Sequence, residues 1–326
     1  MPELKIGGFT LKPFGLEVKA MMQNYLKELK VDSSDYTFAA NFIWFSSASG
    51  FYAIIEDMFC LFSMTGSELT MPLPPLGEKK NVHKAIINCF EIMNKNNTSR
   101  YYSKIEYIDE TMLEDFVDHL EEGTFIFEML DDFIIEKKLV DYIYQADDLI
   151  ELKGNSYHTK RNEINKFKKV YPDHEIMVLD PDIHGKDIID LFNKWIADRI
   201  KYMPKEEADI FLEGIYLERQ AIKRMIQYYR ELDLFGIILY IGGECKGFTV
   251  GEKINDTTAS VIIEKTDFEI LGCAQFIFRE FSKILKEMFG VTYINVGDDM
   301  GFENLKKVKM SYRPYRLLPK YTLYQK

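Results

Sequence analysis

The order of periodic segments in the second half of the chain constrains the fold more tightly than any other feature. His174–Leu179 is a short apolar run after Pro172 and reads as a strand. Ile183–Ile200 reads as a helix. Glu206–Leu232 reads as a longer one, with Leu212, Ile215, Ile222, Ile226 and Tyr229 at three-to-four spacing. Phe235–Ile241 is a buried strand, Gly242-Gly243-Glu244 a hairpin turn, Cys245–Ile254 the return strand and Thr258–Glu264 the next. Gly272–Phe289 is a helix stopped by Gly290, since glycine takes the left-handed conformation that closes a helix. Val291–Val296 is a strand, Phe302–Val308 a short helix and Tyr321–Gln325 a last strand. The order is β-α-α-β-β-β-α-β-α-β, an α/β (α+β) arrangement.

The first half gives a blurred copy of that order. Phe9–Phe14 is strand-like and Leu16–Leu29 helical. Phe51–Ile55 and Phe59–Met64 form a hairpin around Glu56-Asp57, and Thr70–Leu73 is a short strand interrupted by Pro72. Val82–Asn94 reads as a helix, Lys104–Ile108 as a strand, Glu110–Glu121 as a helix and Tyr142–Gln145 as a closing strand. With 326 residues, two domains are expected at about 150 residues each. The expected division is 1–150 for a degenerate first copy and 151–326 for a second copy carrying the site.

Charge narrows the partners. The chain holds 41 Lys and Arg against 52 Asp and Glu, a net of −11, so any contact with nucleic acid or anionic lipid must be local. Residues 106–151 carry sixteen acids against Lys137 and Lys138, which leaves the remainder slightly basic. Two basic runs stand out. One holds Lys153, Lys160, Arg161, Lys166, Lys168 and Lys169 against Glu163. The other holds Lys306, Lys307, Lys309, Arg313, Arg316 and Lys320 against Glu303. Cys60, Cys89, Cys245 and Cys273 form no metal-spaced pair, and the five histidines have no ligand spacing, so no metal site is indicated. The amino terminus has no apolar leader and no run is long enough to span a bilayer, which points to the cytoplasm. Phosphate-loop, dinucleotide, serine-hydrolase and zinc-protease motifs are absent.

Four constellations carry chemistry. On a helix, Tyr157, Ile164, Phe167 and Tyr171 share one face, with Lys160 inside that apolar arc and Arg161 and Lys168 on its border. Cations there suit a phosphate or carboxylate, or else snorkel to water. Lys309-Met310-Ser311-Tyr312-Arg313-Pro314 ends a helix, because Pro314 excludes Arg313 from helical geometry, and leaves an exposed Ser-Tyr-Arg suited to an anion. Glu264 ends a buried strand, where a raised pKa would make it a general base unless Lys265 pairs with it. Asp298 and Asp299 follow a strand and precede a helix, placed to cap it or to hold a substrate ammonium.

Three segments, KGNSYHTKRNEINKF, EKTDFEILGCAQFIFREF and NVGDDMGFENLKKVKMSYRPYRLLPKYTLY, together resemble the phosphatidylglycerol lysyltransferase C-terminal domain family, in its stand-alone relatives. The resemblance implies a tandem GNAT-like fold on a mixed sheet, also similar to Fem-type aminoacyltransferases, with the reaction in the second copy. It implies transfer of an aminoacyl group from aminoacyl-tRNA to a lipid headgroup or another amine or hydroxyl acceptor, with no cofactor required. The basic helix and tail would line the site for lipid phosphate and the tRNA end. The matching positions are Arg161, Lys309 and Arg313, flanked by Lys160, Ser311 and Tyr312. Glu264 and Asp299 stand as candidate catalytic groups and Asp298 as a substrate ligand. GNAT enzymes hold the pyrophosphate of coenzyme A with [RQ]-x-x-G-x-[GA]. Here Gly272 and Ala274 fit, but Glu269 replaces the Arg or Gln and repels an anion. An acyl-CoA donor is therefore one alternative, and a non-catalytic binding or regulatory module on the same fold is another.

Overall fold

The computed structural model describes residues 2–45, 49–113, 118–119, 125–126, 132–201 and 205–326. They divide into two compact units interleaved in sequence. The first comprises Met1–Asp141, Asp298–Phe302 and Leu317–Lys326; the second comprises Tyr142–Gly297 and Glu303–Arg316.

The first unit opens with β1 (Leu4–Ile6), β2 (Phe9–Pro13), α1 (Lys19–Lys27) and α2 (Phe38–Trp44). β3 (Ser49–Ile55), β4 (Met58–Thr65) and β5 (Glu68–Thr70) complete an antiparallel sheet in the order β1-β2-β3-β4-β5. The β3–β4 turn has Glu56 and Asp57 at φ 51° and 59°, the two left-handed residues that match the twist of a two-residue hairpin. Helix α3 (Val82–Asn96) buries Val82, Ala85, Ile86, Cys89, Phe90 and Met93, the one-sided stripe its sequence periodicity specifies. Its cap residue Asn97 pins β5 by bonding both the amide and the carbonyl of Leu69, at 2.7 and 2.8 Å. The short strand read at Thr70–Leu73 instead ends at Thr70. Met71 makes one parallel bridge to Ile105, and Pro72 has no amide to continue a ladder.

β6 (Lys104–Asp109) runs into α4 (Glu110–Leu113), and two-residue strands β7 (Asp118–His119) and β8 (Phe125–Ile126) pair with each other. The helix read over Glu110–Glu121 is therefore corrected: it covers Glu110–Leu113, and Asp118–His119 is extended. Residues 114–117 and 120–121 lie outside the described residues. Asp118 pairs with Ile126 and His119 with Phe125, an extended arrangement that a helix running to Glu121 excludes.

β9 (Phe133–Gln145) passes from the first unit into the second. The second unit continues with α5 (Ala146–Glu151), α6 (His158–Val170), β10 (Glu175–Val178), α7 (Pro181–Ile200) and α8 (Lys205–Gln227). β11 (Phe235–Ile241), β12 (Glu244–Lys253), β13 (Thr258–Thr266), α9 (Cys273–Phe289), β14 (Tyr293–Asn295) and α10 (Glu303–Met310) follow, and β15 (Arg316–Gln325) returns to the first unit, where it pairs with β6. The long helix read to Leu232 stops at Gln227, and the chain reverses at Asp233, φ 54°.

Strands of the second unit lie in the order β10-β11-β12-β13-β14 with the end of β9 beyond β14. Every pair is antiparallel except β13–β14. That parallel pairing covers only Thr258–Ser260 against Tyr293–Asn295. From Val261 onward β13 has left its neighbour, so Glu264 stands on the diverging part of the sheet. A bulge at Val250/Gly251 precedes this divergence. Gly251 is needed there, because a Cβ would lie 2.1 Å from the Ser260 carbonyl oxygen.

Strand alternation then sorts side chains by face. Lys265 points to the α7–α8 side, where it pairs with Glu218 at 2.8 Å and lies 4.1 Å from the centre of the Trp195 ring. Thr249 pairs across the ladder with Glu264. Its neighbours on that face of β12, Gly247 and Gly251, approach Ile277 and Phe281 of α9. Glu264 therefore faces α9.

The first unit also buries an ion cluster. Lys320, only 1% exposed, places its ammonium 2.7 Å from Asp35, 2.8 Å from Asp141 and 2.8 Å from Asp298. The Ser34 amide and hydroxyl both donate to Asp141, each at 2.8 Å, and the Tyr107 ring lies 4.8 Å from the ammonium. Burial disfavours the Lys320 charge, but the three carboxylates outweigh it and hold its pKa well above the usual lysine value. Burial raises Asp35 to about 6, with Asp141 and Asp298 adding to the rise and Lys320 opposing it.

Candidate active site

The site is built where α6, α9, β13 and the turn after α10 meet within the second unit. Helix α6 buries Ile164 and Phe167, and Phe167 stacks on Phe276 of α9 with centroids 4.8 Å apart. The Tyr157 hydroxyl donates to the Tyr312 carbonyl at 2.9 Å, which ties α6 to the turn after α10. Tyr312 is buried, packing edge-on against Phe278 at 5.2 Å and Tyr144 at 6.3 Å. The Tyr144 hydroxyl in turn donates to the Lys309 carbonyl at 2.8 Å.

Expectation and structure differ at this turn. Helix α10 does end before Pro314, and Arg313 sits at φ 55°, outside helical geometry. The exposed Ser-Tyr-Arg read there is exposed only at Arg313. Tyr312 is buried against Phe278 and Tyr144, because its ring completes that aromatic cluster. Ser311 closes the helix end, its hydroxyl donating to the Val308 carbonyl at 2.6 Å.

Glu264 is the chemically distinctive group. The residue is partly exposed, but Oε2 is sealed from solvent and has no hydrogen-bond partner among the described residues. Its pKa is pushed up to about 8: burial dominates, and the Thr249 hydroxyl, Lys265 and Lys309 pull the other way without overcoming it. The Thr249 hydroxyl oxygen is itself without a well-formed hydrogen bond among the described residues, so its influence on Glu264 is one of proximity. Lys265 is already paired with Glu218, which leaves Glu264 without the neutralising partner its sequence neighbour offered.

The cations of the basic helix and of the tail play different parts. Lys160 is half-buried, with its ammonium 4.4 Å from the centre of the Tyr312 ring. Burial lowers its pKa, against an opposing pull from Glu163. Lys309 donates to the carbonyls of Val296 and Gly297 at 2.6 and 3.1 Å, fixing the chain just beyond β14. The Arg161 guanidinium bonds the Leu152 carbonyl and, at 2.7 Å, the Gly154 carbonyl, so it holds the turn leading into α6. Arg313 is exposed and makes no ion pair or hydrogen bond through its side chain among the described residues. Burial and then Asp148 raise the Tyr157 pKa, and Arg313 lies close enough to pull against them.

Asp298 and Asp299 fall in the first unit. Asp298 accepts from the Met300 amide at 2.8 Å while its other oxygen binds Lys320, and Asp299 accepts from the Gly301 amide at 2.9 Å. Both shape the turn leading toward α10, which begins later, at Glu303.

Gly272 and Ala274 begin α9 as read. Gly272 has φ 84°, and a Cβ there would lie 2.3 Å from the Glu163 carbonyl oxygen. The start of α9 is thus pressed against the backbone of α6. Gly272→Ala is expected to destabilise the protein by about 1–3 kcal/mol through forced backbone displacement and an unfavourable φ, read as a lower urea midpoint. A midpoint equal to wild type would show that the approach is looser than this geometry.

A pocket of 290 Å³ elsewhere in the second unit is lined by Asp187, Asp190, Lys194, Glu244, Cys245 and Lys246, and contains none of these residues. Among the described residues, no group of three His, Cys, Asp or Glu side chains is placed to hold a metal ion, and no helix is long and apolar enough to cross a membrane.

With this geometry in view, residues 26–324 match the family model described as phosphatidylglycerol lysyltransferase, C-terminal. The chain belongs to that family. A conserved protein of unknown function from Bacteroides thetaiotaomicron shares 28% identity with it and superposes with a TM-score of 0.80 over 99% of this chain and 100% of the other. L-PGS from Bacillus licheniformis superposes with a TM-score of 0.63 at 13% identity, over 94% of this chain and 91% of that one. A tandem GNAT protein from the clavulanic acid biosynthesis pathway gives 0.51 at 8% identity, over 96% and 97%. An uncharacterised protein of Mycoplasmoides gallisepticum is 25% identical over 188 residues, and the match spans 57% of that relative and 58% of this chain. The family member described here therefore has a mixed α/β fold resembling tandem GNAT proteins.

Sequence reasoning missed one neighbour of Glu264. Thr249 is unremarkable until the β12–β13 register places it opposite.

Proposed function

We propose that this family member moves an aminoacyl group from aminoacyl-tRNA to an amine or hydroxyl acceptor, with Glu264 as general base. The observation that carries this reading is a buried, partnerless carboxyl oxygen on the diverging part of β13, on a carboxyl whose pKa lies near neutrality. The acceptor attacks the ester carbonyl carbon, and Glu264 takes the proton the acceptor loses. Collapse of the tetrahedral intermediate breaks the bond to the ribose oxygen of the tRNA end, which leaves with the proton that Glu264 returns. Lys160 and Arg313, neither with an anionic partner among the described residues, supply charge for phosphates of the donor. Arg161 and Lys309 position the backbone on either side.

The family description points to lysine as the aminoacyl group and phosphatidylglycerol as the acceptor. Dependence on charged tRNA would place the work in the cytoplasm. We read the first unit as the degenerate copy and the second as the reactive one, with the duplication boundary near residue 150.

The acyl-CoA alternative is disfavoured by the crowding of Gly272 against Glu163 and by Glu269 just ahead of the helix. The non-catalytic alternative requires Glu264 to be dispensable. Binding of uncharged tRNA over a salt series tests the donor assignment. Affinity should fall steeply with salt, and Arg313→Ala should reduce the slope of log K against log salt by about 1. Salt-independent binding, or binding of acetyl-CoA in place of tRNA, would overturn it.

A further inference from the structure

β10 is the outermost strand at one end of the second unit's sheet. It pairs with β11 on its inner side and, among the described residues, with nothing on its outer side. One bond shows which backbone groups face outward. The Leu179 amide donates to the Gly236 carbonyl at 2.9 Å, in register with the β10–β11 ladder. Antiparallel pairs alternate between hydrogen-bonded and non-hydrogen-bonded. Glu175 and Met177 therefore bond inward to β11, and Ile176 and Val178 turn their N–H and C=O groups outward. This outward stretch is bounded on both sides. The His174 amide donates to the Tyr171 carbonyl at 3.2 Å, and the Asp180 amide to the His184 ring nitrogen Nδ1 at 2.9 Å. Sheet edges are commonly blunted by lysine, proline or a bulge. β10 reads Glu-Ile-Met-Val, with no bulge in its ladder to β11. Its side chains alternate between faces, and both faces are open: Met177 is 39% exposed and Val178 61%. Helix α7 leaves them uncovered, since it packs on β12 and β13.

We infer that this edge pairs antiparallel with β10 of a second copy of the chain, about a two-fold axis at Met177. The free backbone groups fix the register. With Met177 opposite its own copy, Ile176 of each chain faces Val178 of the other, and each such pair exchanges both of its N–H···O=C bonds. A shift by two residues sets Ile176 or Val178 against itself and the other against His174 or Asp180, whose amides are already engaged. Charge agrees with the same register. His174 then faces Asp180 and Glu175 faces Leu179, so no acid opposes an acid, which would be destabilising. The two Met177 side chains meet in the closer, non-hydrogen-bonded kind of pair and cover apolar surface that the single chain leaves in water. A strand from another protein would have to reproduce this match, whereas the segment is complementary to itself, as a two-fold contact requires. The pairing is independent of the transfer reaction.

The test is sedimentation equilibrium of the full chain at pH 7 over a micromolar concentration series, beside Val178→Pro, Met177→Glu and Met177→Cys. Wild type should pass from one chain mass to two as concentration rises. Val178→Pro removes an outward amide without touching the β10–β11 hydrogen bonds, and Met177→Glu sets two carboxylates against each other across the axis. Each should weaken association at least about tenfold, because the two-fold counts every lost contact twice, while the far-ultraviolet spectrum stays that of the folded protein. Under the thiol oxidant diamide, Met177→Cys should form disulfide-linked dimers, since facing residues of a non-hydrogen-bonded pair have the Cα spacing a disulfide needs. Linkage should far exceed that of wild type, whose four native cysteines are the control. A monomer at every concentration, association unchanged in folded Val178→Pro and Met177→Glu, or Met177→Cys linkage no greater than wild type would each overturn the inference. The wild-type series and the cysteine variant decide the matter even if Val178→Pro fails to fold.

Discussion

Glu264→Gln is expected to slow aminoacyl transfer by about 10²–10⁴-fold, the usual contribution of a positioned general base, while leaving tRNA affinity unchanged. The wild-type rate should climb as pH rises and level off above about 8, because only the ionised carboxylate can accept a proton and burial holds its pKa there. The variant's residual rate should lack that rise. The same substitution should stabilise the fold in alkali. Between the ordinary glutamate value of 4.5 and about 8, the native state keeps a proton that the unfolded chain has released. Wild-type stability therefore falls as pH rises through that window. Glutamine removes the cost, on the order of a few kcal/mol at pH 9 and vanishing toward pH 4. Melting both proteins across pH 4–9 reads this out. Loss of activity without gain of alkaline stability would place Glu264 in a less buried setting than the one described.

The second large effect belongs to the first unit. Lys320→Met should destabilise the protein by about 3–5 kcal/mol, since it leaves Asp35, Asp141 and Asp298 clustered without the buried ammonium they share. That is a large part of the ~5–15 kcal/mol that holds a typical domain folded. Acid should narrow the gap. Burial already lifts Asp35 to about 6, and without Lys320 these carboxyls should accept protons more readily, so the deficit at pH 8 should shrink by pH 5. Guanidinium melts at the two pH values measure it. A deficit under about 1 kcal/mol at pH 8, the scale of a surface ion pair, would mean the cluster is solvated.

The local elements were readable where periodicity is strong. The strands from Phe235 onward and the amphipathic helix α9 follow from alternation and three-to-four spacing, and Gly290 marks the helix end. Elements whose apolar pattern is short or mixed, such as α2 and α5, were not visible, and neither was most of β9, whose middle is a run of Glu136, Lys137 and Lys138. What sequence cannot supply is register and long-range contact. The Lys320 cluster joins residues 35, 141, 298 and 320, and no spacing rule connects them. Burial of Tyr312 depends on Phe278 and Tyr144 arriving from two other elements. Glu264 was legible as a strand-end carboxylate, but its isolation depends on Lys265 turning to Glu218 on the opposite face. The same alternation that hides Thr249 in the sequence brings it beside Glu264 in the sheet.

The most direct test of the account is transfer itself. The purified chain is incubated with tRNA charged with radiolabelled lysine and with vesicles containing phosphatidylglycerol, or with hydroxylamine as a small acceptor, in parallel with Glu264→Gln. The account predicts protein-dependent movement of label from tRNA to acceptor, rising with pH toward 8 and lost in the variant. Label that stays on tRNA with either acceptor, or transfer that Glu264→Gln performs at the wild-type rate, would contradict it.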